Sequence, residues 1–212
     1  MKSFNLLLVI LLLAACTSTR ITSSWKSADS MASKSFKKIL VVAVMNDKDR
    51  RIREHMESHL VASLIDNGYD AISSMEEYGP KTFSKMSEEE VLRQLHSNEI
   101  DAVITISLLD KSRERSYVPG TVTYQPSYMM YNRFWPYYHA YYGRVYTPGY
   151  YTVNTKYFFE TNLYGLNGTD KDLIYSAQSE AFDPASADEM AHGYAKAIIR
   201  DMKSKDLLAA RK

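Results

Sequence analysis

The spacing of apolar residues changes repeatedly along this 212-residue chain. From Leu6 to Ala15 it is unbroken, after a short start containing Lys2. A run of that length suits the h-region of an export signal and falls short of the roughly 20 residues needed to span a bilayer. Residues 1–15 are therefore read as a signal peptide and set aside from the fold. Residues 16–35 are rich in Ser and Thr, and a stretch that can bury so little reads as a tether. Trp25 is out of place in a tether, so Arg20 to Trp25 is predicted as a first edge strand.

A single domain is expected over residues 36–212. Ile39 to Met45 is a continuous, largely β-branched run, typical of a strand buried on both faces, and is placed at the centre of the sheet. Asn46 to Asp49 supply cap residues for a helix that stops near Asn67-Gly68. Its apolar stripe, Ile52, Met56, Leu60 and Leu64, recurs every fourth residue and so marks one face. Tyr69 to Ser73 predicts a short strand, and Ser87 with Glu90 predicts a capping box opening a second helix. Asp101 to Leu109 returns to the pattern of a buried strand, so this half reads as βαβαβ.

Beyond a long interruption the period becomes two. From Tyr151 to Leu163 the odd positions are mainly apolar or aromatic, as in a half-exposed antiparallel strand. Asn167-Gly168 signals a hairpin turn, Leu173 to Phe182 supplies the return strand, and Ser186 with Glu189 opens a last helix through another capping box. The fold class is α/β: a mixed sheet in two or three layers, about three packed helices, and a long insertion before a C-terminal hairpin and helix.

Leu13-Ala14-Ala15-Cys16 closes the apolar run and resembles the lipobox of bacterial lipoproteins. The resemblance implies cleavage before Cys16, lipidation of its sulfur, and anchoring by several acyl chains, palmitate among them. More than one chain is needed for stable attachment. Thr17, not Asp, follows the cysteine, which by the sorting habit of such lipoproteins implies the inner leaflet of the outer membrane, facing the periplasm. Cys16 is the sole cysteine, so no intramolecular disulfide is possible. With Lys2 removed, the formal charge of +1 falls to zero, and a balanced chain lacks the basic footprint of a nucleic-acid binder.

Three further features, Ser24-Trp25-Lys26, the run Lys38 to Val44 and the strands around Glu160 and Tyr175, resemble an uncharacterised family of Gram-negative envelope lipoproteins known only as a domain of unknown function. More distantly, the layout is similar to the amino-terminal domain type of TolB and to the outer-membrane lipoprotein that activates a penicillin-binding protein. Those relatives are interaction modules, so the resemblance implies an envelope protein partner.

Residues 117–151 hold 11 of the 17 tyrosines, with Phe134 and Trp135 and no acidic residue. Pro119, Pro126, Pro136 and Pro148 break regular structure, which predicts a long loop or irregular hairpin inserted at one sheet edge. Tyrosine offers large contact area at low rotamer cost and keeps a hydroxyl for hydrogen bonding. Docking of another protein, stacking on peptidoglycan or other glycan, and lying at a membrane interface all follow from that chemistry. A loop folded back over its own sheet explains the same composition. The candidate binding residues are Trp135, Tyr137, Tyr138, Tyr141 and Tyr142.

Catalytic signals are absent from the sequence. His55 and His59 share a helix face, but Glu57 in HMESH is one place too late for the zincin motif, which puts Glu directly after the first His. They read as solvent-edge residues, and no metal or cofactor is assigned. The eight glycines make no phosphate loop, and no nucleophile elbow occurs. The charged run Asp110 to Arg115 reads as a solvated loop. A non-enzymatic protein is expected, with an enzyme left open only through residues that folding brings together.

Overall fold

The computed structural model describes residues 19–27, 36–80, 83, 86–122, 146–166 and 172–208. The signal peptide, Cys16, most of the tether and the Asn167-Gly168 turn lie outside them. The described residues fall into two compact units, one drawn from residues up to Ser112 and from Lys156 onward, the other spanning Arg113–Thr155.

The larger unit is a mixed α/β structure. Its strands are β1 (Thr19–Lys26), β2 (Lys38–Val44), β3 (Asp70–Ser73), β4 (Ala102–Val118), β7 (Tyr150–Gly165) and β8 (Asp172–Phe182), β4 and β7 continuing into the second unit. Its helices are α1 (Arg50–Asp66), the single-turn α2 (Ser74–Glu77), α3 (Glu88–Ser97) and α4 (Ala187–Ser204). The sheet order is β1-β8-β7-β4-β2-β3. The β2 strand is parallel to β3 and β4, whereas β8 is antiparallel to β7 and β1. The crossover half and the hairpin half anticipated from the two apolar periods thus meet in one sheet.

Alternation along the strands sorts the core into two layers. Ile39, Val41, Ala43, Ile104, Ile106, Phe159 and Leu163 face α1 and α4, whose Met56, Leu60, Leu64, Tyr194, Ile198 and Met202 are fully buried. Leu40 packs on the opposite side with Leu95 of α3, Ile100 and Leu166. Burial of each large side chain contributes about 1.5–3 kcal/mol, so the layer shared by α1 and α4 dominates the stability. Among the described residues no helix is long and apolar enough to cross a membrane.

Several expectations are corrected. The β2 strand is buried on both faces, but it stands beside the edge strand β3; the middle of the sheet is β7 and β4, because the hairpin half adds three strands on one side. Residues 110–115 belong to β4 and form no loop. Pairing with β7 satisfies the backbone there, while the charged side chains stay at the surface, Lys111 Nζ lying 5.2 Å from the centre of the Tyr157 ring. Asp47–Asp49 form a 3-10 turn, and Asp49 stands at the N-cap of α1 without a side-chain cap bond. Its carboxylate instead faces Lys111 at 3.5 Å. The insertion joins the two middle strands instead of leaving a sheet edge. β1 takes the predicted edge position, although Trp25 remains half exposed.

Three helices end in the same way. After α1, Gly68 N–H donates to Ile65 O at 2.8 Å and Tyr69 N–H to Leu64 O at 3.1 Å. Glu99 and Ile100 repeat this pattern on His96 and Leu95, as do Asp206 and Leu207 on Lys203 and Met202. Each is a Schellman motif, closed by an apolar contact between the residue after the turn and the last helical turn. The motif needs a left-handed residue, and Gly68 (φ 81°) takes that conformation freely, whereas Glu99 (φ 59°) and Asp206 (φ 56°) carry a Cβ against it.

Two carboxylates fasten the ends of β2. Fully buried Glu57 of α1 accepts from Ala43 N–H and Met75 N–H at 2.8 Å each, from the Ser73 hydroxyl at 2.7 Å, from the Ser74 hydroxyl at 3.2 Å and from Arg53 Nε at 3.3 Å. At the other end, Asp101 accepts from Lys37 N–H at 2.8 Å and Lys38 N–H at 3.1 Å. In the dominant core layer, burial and then the hydrogen bond to Asp201 push the Tyr175 phenol well above the usual tyrosine range. Burial does the same to Tyr194, which hydrogen-bonds Thr161.

Replacing Glu57 with Gln turns one acceptor into a donor amid donors, and is expected to cost about 2–4 kcal/mol in urea unfolding. Glu99→Gly relieves the left-handed strain and is expected to add about 0.5–1 kcal/mol in the same assay. The phenols of Tyr175 and Tyr194 ionise in the unfolded chain near pH 10 but resist ionisation when folded. Their contribution to stability is complete below that pH and declines as pH rises above it. Thermal melts at pH 8 and above pH 10 are expected to show this loss, reduced in Tyr175→Phe.

Candidate functional site

The chemistry-bearing side chains gather where α1 meets the first turn of α4. His55 and His59 stand one turn apart on α1, bordering the buried stripe of Met56 and Leu60. Asp188 and His192 stand one turn apart on α4, beside Met190 and Ala191. Ser186 begins that helix by accepting from Glu189 N–H at 3.0 Å, the hydroxyl half of the expected capping box. Packing of the two apolar stripes therefore carries both polar pairs to one rim.

There Asp188 Oδ1 lies 2.7 Å from His59 Nε2 and 3.3 Å from His55 Nδ1. The His59 ring meets His192 edge-on at 5.6 Å between centroids, and His55 at 6.4 Å. The side chains of His55, His59 and Asp188 are 36%, 25% and 63% exposed, so both imidazoles are partly sheltered while the carboxylate is open to water. Hydrogen bonding from His59, with the electrostatic influence of all three imidazoles, holds the Asp188 carboxyl below its ordinary range. Among the described residues this is the one group of three or more His, Cys, Asp or Glu side chains able to converge on a metal ion.

A cavity of about 380 Å³ opens beside His55, lined also by Arg50, Glu54, Ser58, Ser73 and Glu76. Its inner wall is organised by Glu57: the Ser73 hydroxyl that donates to this carboxylate also caps α2 through Met75 and Glu76 N–H. Ser73, the last residue of β3, puts the cavity at the carboxyl end of that strand, where open α/β sheets commonly bind ligands.

The sequence placed His55 and His59 on one helix face and left them at the solvent edge. Asp188, which is 129 residues from His59, was not singled out. The i, i+4 spacing of Asp188 and His192, matching that of His55 and His59, is the signal that was open to notice.

The candidate residues of the tyrosine-rich segment, Trp135, Tyr137, Tyr138, Tyr141 and Tyr142, lie outside the described residues, as does Cys16. The described part of the second unit is a ribbon in which β5 (Thr121–Val122) pairs antiparallel with β6 (Tyr146–Thr147). The base of the insertion is thus regular. The Tyr117 and Tyr151 rings meet at a tilt of 51° with centroids 5.1 Å apart, the Arg115 guanidinium lies 5.1 Å from the Tyr151 ring centre, and the Thr152 hydroxyl donates to Ser116 O at 3.3 Å. Tyr117, Tyr150, Tyr151 and Val153 are each more than half exposed. The alternation read from Tyr151 onward buries its odd positions only from Phe159.

No family model and no curated protein sequence matches the chain. Among solved structures it is similar to the PelC dodecamer subunit of Paraburkholderia phytofirmans, at 10% identity over 89% of this chain and 99% of that one, with a TM-score of 0.43. Lipoprotein GNA1162 of Neisseria meningitidis matches at 13% identity over 79% and 99% of the respective chains, TM-score 0.43. A PDZ domain protein of Parabacteroides distasonis matches at 9% identity over 88% and 35%, TM-score 0.39. These are distant likenesses of fold.

Proposed function

We propose that this chain is an outer-membrane-anchored periplasmic lipoprotein, held in the inner leaflet through Cys16, that serves as a non-enzymatic interaction module for another envelope protein. The observation that carries the reading is the exposed aromatic set at the base of the insertion, formed by Tyr117, Tyr150 and Tyr151, with Val153 beside them and Arg115 over one ring. Tyrosine and arginine are the residue types that most often dominate binding energy at protein interfaces. The ring pair and its guanidinium are already positioned, so ordering them on a partner costs less entropy than fixing free side chains.

The anchor rests on Leu13-Ala14-Ala15-Cys16 and Thr17. The resemblance to Gram-negative envelope lipoproteins of unknown function, and more distantly to the TolB amino-terminal domain type, agrees with an interaction role. Glycan binding is the competing reading, since tyrosine faces also stack on sugars.

Crosslinking in intact cells with mass spectrometry is expected to yield a defined envelope protein from the full chain. The crosslink should be lost on deletion of residues 117–151 and reduced at least about tenfold in Tyr117→Ser/Tyr150→Ser/Tyr151→Ser, since a tenfold change corresponds to loss of only about 1.4 kcal/mol. Absence of any specific crosslink, with retention on purified peptidoglycan sacculi that the triple variant abolishes, would overturn protein docking in favour of glycan binding.

A further inference from the structure

We propose that His55, His59 and Asp188 form a binding site for one divalent transition-metal ion, zinc foremost, with water in the fourth position. The inference is independent of the docking role, because it uses neither the insertion nor the lipid.

The donor set and its placement carry the argument. Two imidazoles and one carboxylate suit zinc, copper or nickel, whereas magnesium and calcium require oxygen donors. His55 and His59 share a face of α1 at i, i+4, the spacing by which one helix offers two ligands to one ion. Asp188 supplies the third from α4, and all three ligand atoms lie within 4.8 Å of one another. Zinc bonds of about 2.0–2.2 Å in a tetrahedron put neighbouring ligand atoms roughly 3.3 Å apart. His55 Nδ1 is already 3.3 Å from Asp188 Oδ1, and the 2.7 Å contact of His59 with the same oxygen need only open slightly.

The surroundings suit an ion with an open position. The backbone of both helices is fixed by the buried stripes beneath, so an ion here would join preformed supports and not order a loop. Asp188 is open to solvent, and His55 borders the 380 Å³ cavity, leaving a side for water or an exchangeable ligand. Two neutral imidazoles and one carboxylate leave a bound divalent ion with a net charge of +1, which favours an anionic or water ligand at the fourth position.

The test uses the full chain, purified in detergent without a polyhistidine tag, stripped with EDTA and titrated with zinc chloride by calorimetry. One ion per chain is expected, with a higher thermal midpoint, and cobalt chloride should give the intense visible bands of four-coordinate cobalt. His59→Ala and Asp188→Asn should each weaken zinc binding by at least about 100-fold, the upper end of what loss of an outer-shell partner does. His96→Ala, on α3 at the opposite face of the sheet, should leave affinity unchanged. Circular dichroism checks that each variant is folded; the exposed Asp188→Asn keeps the test decisive if His59→Ala is not. No zinc uptake by the wild-type chain, or uptake equal in wild type and folded Asp188→Asn, would overturn the site.

Discussion

Glu57 has no contact with solvent, yet its carboxylate gathers main-chain donors from β2 and α2, two serine hydroxyls and the Arg53 side chain. A buried carboxylate is tolerated only where its acceptor capacity is filled, and here the filling comes from β2, β3 and α2 as well as from its own helix. Those elements are thereby fixed in one arrangement: α1 cannot slide along β2, and α2 cannot leave the end of β3, without exposing an unpaired charge to the core. The register of α1 on the sheet follows from that constraint, and with it the height at which His55 and His59 reach the surface.

Asp101 makes the complementary constraint at the other end. It takes the first amides of β2, its own N–H donates to Lys38 O at 3.1 Å, and its carbonyl receives Leu166 N–H at 2.8 Å. One residue therefore joins the starts of β2 and β4 to the end of β7, tying the parallel half of the sheet to the antiparallel half. Between these two anchors the strands need only apolar complementarity, which Ile39, Val41 and Ile104 supply with no exposed surface.

On this frame, function-bearing chemistry collects in two places of different character. Paired helices bring imidazoles and a carboxylate to a rim above rigid packing, and rigid supports are what a metal site requires. The described base of the insertion instead presents aromatic faces on a ribbon, an arrangement suited to broad contact with another surface.

Elements governed by local rules were legible in the sequence. The stripe Ile52, Met56, Leu60 and Leu64, the Ser87–Glu90 capping box, the Asn67-Gly68 stop and the two apolar periods all act through neighbours within a turn or along one strand, so their spacing predicts their structure. Sheet order was not local: whether Ile39 to Val44 lies at the centre or beside an edge depends on how many strands the far hairpin adds. The charged residues 110–115 became strand because β7 offers partners to the backbone, overriding what the side chains prefer. Glu57 figured in the sequence only as a glutamate one place off the zincin motif, and it is Ala43, Ser73 and Met75, from other elements, that enclose it. Asp188 became a neighbour of His59 because two helices 129 residues apart bury their stripes against the same face of the sheet. The sequence by itself determined most of the segments that become strand and helix, residues 110–115 excepted, because those choices rest largely on contacts within a few residues. Tertiary structure alone decided which charges are buried and which side chains meet, because apolar burial brings together residues that no sequence period connects.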